Sequence, residues 1–220
     1  MGQRGPIPKG RVKIEWSPEF AYAIGLIVTD GSLSKDERHI CLTSKDEELI
    51  ENFQRALKIR YRVGRKGSGT QKDKRYFLIQ IGDVLFYQFL LTIGLMPNKT
   101  KIIGEVKIPR EYFFDFLRGH LDGDGCFYSY WDPRWKSSFM FYTTFISASR
   151  SHIDWLRSEI FEALTVKGHI TGDGKKSVYQ LKYAKAESLK IIKNVYYNKQ
   201  VLCLSRKRIK IEKALQNQRT

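Results

Sequence analysis

"YAIGLIVTDG", Tyr22–Gly31, and "FLRGHLDGDG", Phe116–Gly125, decide how this chain is read. Both are apolar stretches of helical character with a glycine in the middle and an Asp-Gly at the end. Glycine costs about 1 kcal/mol in a helix interior, and an acid at a helix C-terminus meets the unfavourable end of the dipole. Making the same two poor choices twice points to a shared purpose. A shift of 94 positions carries Phe116 onto Tyr22, Gly119 onto Gly25, Gly123 onto Thr29 and Asp124 onto Asp30.

The repeat extends outward from these stretches. Ser17, Pro18 and Glu19 supply an N-cap, a first-turn proline and an early acid, so a helix starts there and runs to about Asp30. "GSLS" and "HICLT" read as a hairpin. "SKDEELIENFQRALKI" carries Leu49, Ile50, Phe53, Ala56 and Leu57 at helical spacing. "RYRVGRK" and "RYFLIQI" read as strands around a loop of turn formers, and "DVLFYQFLLTIGL" as a helix closed by Gly94. The second half repeats this order after Pro109, with "CFYSY" and "FMFYTTFIS" flanking a longer loop, "WDPRWKSS". A basic helix, about Arg206 to Asn217, ends the chain. The expected fold is therefore α+β, two pseudo-symmetric αββαββα halves. Residues 1–16 form a basic arm, 17–104 the first half and 105–220 the second.

The first motif helix is apolar nearly all round, so it must be buried on more than one side. A small residue in matched places lets two helix backbones approach closely. The motif helices are expected to pack on each other along Tyr22, Gly25, Phe116 and Gly119. About a pseudo-two-fold axis, Asp30 and Asp124 then arrive together at one end. Two carboxylates there repel each other and face carbonyl-rich helix ends. A hard divalent cation with oxygen ligands relieves both problems, and one or two Mg²⁺ ions between such acids suit phosphodiester hydrolysis.

At these residues the sequence resembles the LAGLIDADG homing endonucleases. "AIGLIVTDG" and "LRGHLDGDG" stand where that family has its name-giving motif, and "IGLMPNKTK" with "IPREYFFDFLRGHLDGDG" is similar to its single-chain members. The resemblance implies a monomeric, site-specific DNA endonuclease that cuts both strands and leaves short 3′ overhangs. It implies Asp30 and Asp124 as the metal-binding acids, with Mg²⁺ the expected ion and Mn²⁺ or another divalent cation able to substitute. The carbonyls of Thr29 and Gly123 would lie near the metals. Lys99 and Lys207 would be the basic residue of each site, acting on the scissile phosphate or on the nucleophilic water. Val28 replaces the family's earlier acid in the first motif, and His120 replaces an apolar residue in the second, where a core or interface histidine is expected. The polar strand residue that the family places near the metals falls at Cys41 and Phe145. An RNA-binding intron maturase, with or without residual cleavage, and a non-cleaving DNA-binding regulator are the alternatives on the same fold; retention of both acids argues against a complete loss of nuclease chemistry. The chain ends in Gln-Arg-Thr without a splicing His-Asn, so an intein-borne domain is not expected.

Charge agrees with a polyanionic partner: 39 Lys and Arg against 23 Asp and Glu give a formal net charge of +16. The expected partner is a double-stranded DNA target, with no membrane and no obligate protein partner. Strand alternation sends Phe77, Ile79 and Ile81 to the core, and Tyr76, Leu78 and Gln80 to an open face. Ser32, Ser34, His39, Arg62, Tyr128, Tyr130, Gln180 and Lys182 join that face. Lys66, Arg75, Arg134 and Lys136 belong to loops that would reach flanking phosphates. Such antiparallel sheets would form a DNA-binding saddle that reads base edges in the major groove. No apolar run approaches the ~20 residues of a membrane span, and the basic start lacks the apolar core of a secretory signal. Cys41, Cys126 and Cys203 show no metal-binding spacing. The expected location is a cytoplasm or organellar matrix, wherever the target DNA lies.

Overall fold

The computed structural model describes residues 10–67, 75–135, 137–173 and 178–217. Most of the basic arm and Lys136 lie outside the described residues. The chain is anchored just after Gly10: Arg11 and Val12 donate their backbone N–H groups to Asp83, and Val12 is buried. Asp83 also caps the helix that follows it by accepting from the Phe86 N–H.

Each half has the element order that the repeat predicts. In the first half, α1 (Pro18–Asp30) leads to β1 (Gly31–Leu33) and β2 (His39–Ser44). Then come α2 (Glu47–Leu57), β3 (Gly64–Lys66), β4 (Tyr76–Gly82) and α3 (Val84–Thr92). In the second half, α4 (Phe113–Asp122) leads to β5 (Cys126–Trp131), β6 (Phe139–Ser147) and α5 (Arg150–Leu164). β7 (His169–Asp173), β8 (Val178–Tyr183) and α6 (Lys185–Val195) complete it, and α7 (Ser205–Asn217) ends the chain. The two sheets have the same topology, β1-β2-β4-β3 and β5-β6-β8-β7, with every neighbouring pair antiparallel.

Local chemistry sets the ends of these elements. Ser17 accepts from the Phe20 N–H, satisfying one orphan donor of α1. α2 buries Leu49, Ile50, Phe53, Ala56 and Leu57 as its spacing predicts. After α3 the chain turns at Gly94, whose φ of +103° is open to glycine and whose missing Cβ makes room for the Glu105 carbonyl. Two expectations need correction. The strand read in "RYRVGRK" is only Gly64–Lys66, because the Tyr61 N–H turns aside to bond the Gln54 side chain. α4 stops at Asp122, so Asp124 lies two residues past the helix, whereas Asp30 is the last residue of α1.

The core is continuous across the two halves because α1 and α4 share it. Every residue from Phe20 to Val28 is buried, as is every residue from Phe116 to Asp122. A methyl group at Gly25 would stand 2.9 Å from the Gly119 Cα and 2.7 Å from the His120 N. One at Gly119 would stand 3.1 Å from the Gly25 Cα and press on the Tyr22 carbonyl. The two backbones touch, and only glycine at both positions permits it.

Candidate active site and nucleic-acid face

The crossing of α1 and α4 brings the two acids to one end of the helix pair. A Cβ on Gly123, the residue before Asp124, would lie 2.7 Å from an Asp30 carboxylate oxygen. Burial raises the Asp30 pKa to about 6, and the charge of Asp124 pushes it the same way against Lys207 and Lys99. Asp124 is exposed as a residue, yet partial burial of its carboxyl still raises its pKa, opposed by Lys99 and Lys207. Two half-protected carboxylates with raised pKa values form an electrostatically costly site.

Both lysines reach equivalent carbonyls. Lys99, buried in a short 3₁₀ turn after α3, donates to the Gly31 carbonyl at 2.8 Å. Lys207, in the first turn of α7, donates to the Gly125 carbonyl at 2.8 Å. Gly31 and Gly125 each follow the motif aspartate. Lys207 also bonds the carbonyls of Leu121, Asp122 and Gly123, at 2.6, 2.7 and 3.2 Å. An ammonium has three hydrogens, so these four acceptors occupy Lys207 fully and make it a cap on the last turn of α4. Burial lowers the Lys99 pKa to about 8, against the pull of Asp124 and Asp30. Thr29 turns its hydroxyl back to the carbonyls of Gly25 and Leu26 and toward Asp30.

Several residues that organise this end were not singled out from the sequence. Asp122 is buried and accepts from the Tyr22 hydroxyl (2.9 Å) and the Leu204 N–H (2.7 Å). It ties α1, α4 and the approach to α7 together, and burial raises its pKa to about 6. Arg118 is fully buried, paired with Asp115, and donates to the carbonyls of Val195 and Leu202. Charged residues inside the motif run "FLRGHLD" were the available signal. His120 lies in the core as expected and meets His152, Nε2 to Nε2, at 3.2 Å. Because His152 Nδ1 must donate to the Gly104 carbonyl, His152 Nε2 is the acceptor and His120 Nε2 carries the proton.

Burial holds both imidazoles neutral: the His120 pKa is pushed down, and that of His152 falls to about 4. A histidine depressed in the folded state contributes stability above its unfolded pKa of about 6.5, and that stability is lost as pH falls toward 4. The stability lost between pH 7 and pH 5 is therefore expected to be greater in the wild type than in His152→Leu by about 2 kcal/mol. Urea unfolding at the two pH values measures this, and equal losses in both proteins would contradict a neutral buried His152.

The open sheet faces follow the alternation read from the sequence. Phe77, Ile79 and Ile81 are buried, while Tyr76 and Leu78 are half-buried and Gln80 is exposed. Ser32 pairs with Cys41 and Cys41 with Gln80, forming the row nearest Asp30. The matching row in the second half is Cys126, Thr144 and Lys182. Register therefore corrects the partner of Cys41 from Phe145 to Thr144; Phe145 is a core residue one step away. Ser34 and His39 lie farther out, and Asp36 holds the His39 ring at 2.5 Å. Arg62 and Lys66 are exposed, and Lys66 pairs with Tyr76 at the edge of the sheet. Arg75 leads into β4. Tyr128, Tyr130 and Tyr142 stack beside one another on the second sheet, whereas Gln180, exposed, pairs with Ile146 on the other side of the Lys182 row. Arg134 is clasped by Asp132 through its guanidinium and its backbone N–H.

Residues 17–94 match the family model of the LAGLIDADG-like domain. The chain has the two-half LAGLIDADG fold. It is similar to the N-terminal LAGLIDADG domain of DUF199/WhiA, at 16% identity and TM-score 0.56 over 90% of this chain and 88% of that one. It is similar to the I-LtrWI LAGLIDADG homing endonuclease bound to target DNA, at 13% identity and TM-score 0.57 over 91% and 90%. It is also similar to the homing endonuclease I-WcaI bound to its DNA recognition sequence, at 12% identity and TM-score 0.62 over 89% and 88%. At these identities the likeness to solved structures shows the fold. No curated protein matches the sequence. Among the described residues, no helix is long and apolar enough to cross a membrane.

Proposed function

We propose that the protein is a site-specific endonuclease of double-stranded DNA, hydrolysing one phosphodiester in each strand with divalent metal held by Asp30 and Asp124. The observation that carries this reading is the pair of acids brought together at one end of the two touching helices. That arrangement costs stability, and a protein that only bound DNA would have no use for it. Two carboxylates with carbonyls beside them are oxygen donors, the set suited to Mg²⁺ or Mn²⁺ completed by water and substrate phosphate. No cluster of three or more His, Cys, Asp or Glu residues forms among the described residues, so the donor set does not suit a closed structural metal site. A bound ion would supply charge stabilisation at the phosphate and a more acidic water.

The chain's own groups divide the remaining work. Lys99 spends one hydrogen on the Gly31 carbonyl and lies close enough to feel both acids, so it has donors left for a phosphate oxygen or an attacking water. Lys207, with its carbonyls, fixes the backbone on which Asp124 stands. The positive charge and the two polar sheet faces would hold the duplex. I-LtrWI and I-WcaI, which share the fold, are described bound to DNA.

A pool of duplexes with randomised sequence, enriched for binding without divalent metal, tests the reading. The enriched duplex is expected to be cut in both strands on addition of Mg²⁺, with short 3′ overhangs. Enrichment of structured RNA in place of duplex DNA, or an enriched duplex that stays intact with Mg²⁺, would overturn it.

A further inference from the structure

The two sheets differ where they are most nearly equivalent. Gln80 and Lys182 occupy the same place: each is on the third strand of its sheet's order, opposite Cys41 or Thr144, in the row nearest the motif acid. Their surroundings are not alike. Lys182 Nζ lies 4.9 Å from the Tyr128 ring centroid and 4.5 Å from that of Tyr142. Those two rings stack on each other with centroids 5.1 Å apart and planes 22° apart. They stand as a directly opposed cross-strand pair, and Tyr130 extends the stack at 6.3 Å from Tyr142. In the first half the equivalent opposed residues are Ser34 and His39, and His39 is engaged by Asp36. Gln80 is exposed, and the two residues opposed beyond its row, Ser34 and His39, are not a stacked aromatic pair.

Chemistry then separates what each residue can read. An ammonium offers donors and no acceptor, so it matches a base edge with two adjacent acceptors. In the major groove only guanine presents that pair, O6 and N7. A carboxamide offers one acceptor and a donor group, which match the N6 amino group and N7 of adenine. Cation–π contact with two rings holds the ammonium over the sheet and reduces the freedom it must lose on binding.

We infer that Gln80 and Lys182 set the base at pseudo-equivalent positions of the two half-sites, adenine in the half bound by the first sheet and guanine in the half bound by the second. The inference rests on the reading of the protein as a site-specific DNA-binding enzyme. It assigns the clamp of Tyr128 and Tyr142 to positioning Lys182, with no part in cleavage.

The test is enrichment from duplex pools randomised in one half-site at a time, in the absence of divalent metal. The wild type is expected to select adenine and guanine at the mirrored positions near the centre, each by about tenfold or more over the other bases. Lys182→Gln is expected to convert guanine to adenine in its half alone, and Gln80→Lys to make the reverse change in the other. Tyr142→Leu is expected to keep guanine but weaken its preference severalfold. A base preference that ignores both exchanges would overturn the inference while leaving the endonuclease reading intact. Failure of the wild type to enrich any duplex would count against that reading as well.

Discussion

Gly119→Ala is expected to destabilise the protein by about 3 kcal/mol or more, although alanine is the better helix former by roughly 1 kcal/mol. The added methyl has nowhere to go. It would stand 3.0 Å from the Tyr22 carbonyl carbon and 3.1 Å from the Gly25 Cα, both in the backbone of a helix buried on all sides. Side chains can rotate away from an intruding atom, but packed backbones can yield only by separating the helices. Gly25→Ala presses on the Phe116 carbonyl and the His120 N from the other side and is expected to do the same. Gly172→Ala is the control: its methyl would meet the Tyr179 ring at 3.6 Å, an ordinary contact, and stability should change little. Urea midpoints of the three variants decide the matter. An unchanged or higher midpoint for Gly119→Ala would show that the helices do not touch as described.

Asp124→Asn is expected to abolish double-strand cleavage and at the same time to stabilise the metal-free protein at pH 7. The two effects have one cause. Asp30 is held at about pKa 6 by burial and by the charge of Asp124, so removing that charge lowers the Asp30 value toward the ordinary carboxylate range. A carboxyl raised in the folded state makes the metal-free protein less stable as pH rises from about 4 to 6, and the deficit persists at pH 7. Neutralising the neighbour shrinks that deficit. Asp30→Asn removes the deficit with the group itself and should likewise raise the melting temperature while eliminating cleavage. Calorimetry without metal and a two-strand cleavage assay read the opposing changes. A variant that lost both stability and cleavage would identify its acid as a structural group.

The fold was legible because it is written twice. Helix starts such as Ser17-Pro18, the alternation of Phe77, Ile79 and Ile81, and the matched glycines each gave a local signal, and the repeat supplied the tertiary one. Adding 94 to the number of Gly25 named its partner without any contact map. What stayed hidden depends on groups distant in sequence meeting inside the protein. Nothing near Asp122 announces that its oxygens will be met by Tyr22 and by the Leu204 N–H. His120 showed only as a departure from an apolar pattern, because its partner His152 sits on α5. The exchange of Phe145 for Thr144 has another origin. β5 and β6 are joined by a longer loop than β1 and β2, so counting along the chain slips by one where cross-strand pairing does not. Lys207 lies at the end of α4, and its four carbonyl acceptors could be seen only once α4 ended at Asp122 and exposed them.

The paired acids are the centre of this account, and strand scission of an enriched duplex tests them most directly. The wild type, and the Asp30→Asn/Asp124→Asn double variant shown by calorimetry to be folded, would each be incubated with that duplex in Mg²⁺ or in EDTA. The account predicts that both strands are cut only by the wild type and only with Mg²⁺, while the double variant still binds the duplex. Cutting by the double variant, or cutting by the wild type that persists in EDTA, would contradict it.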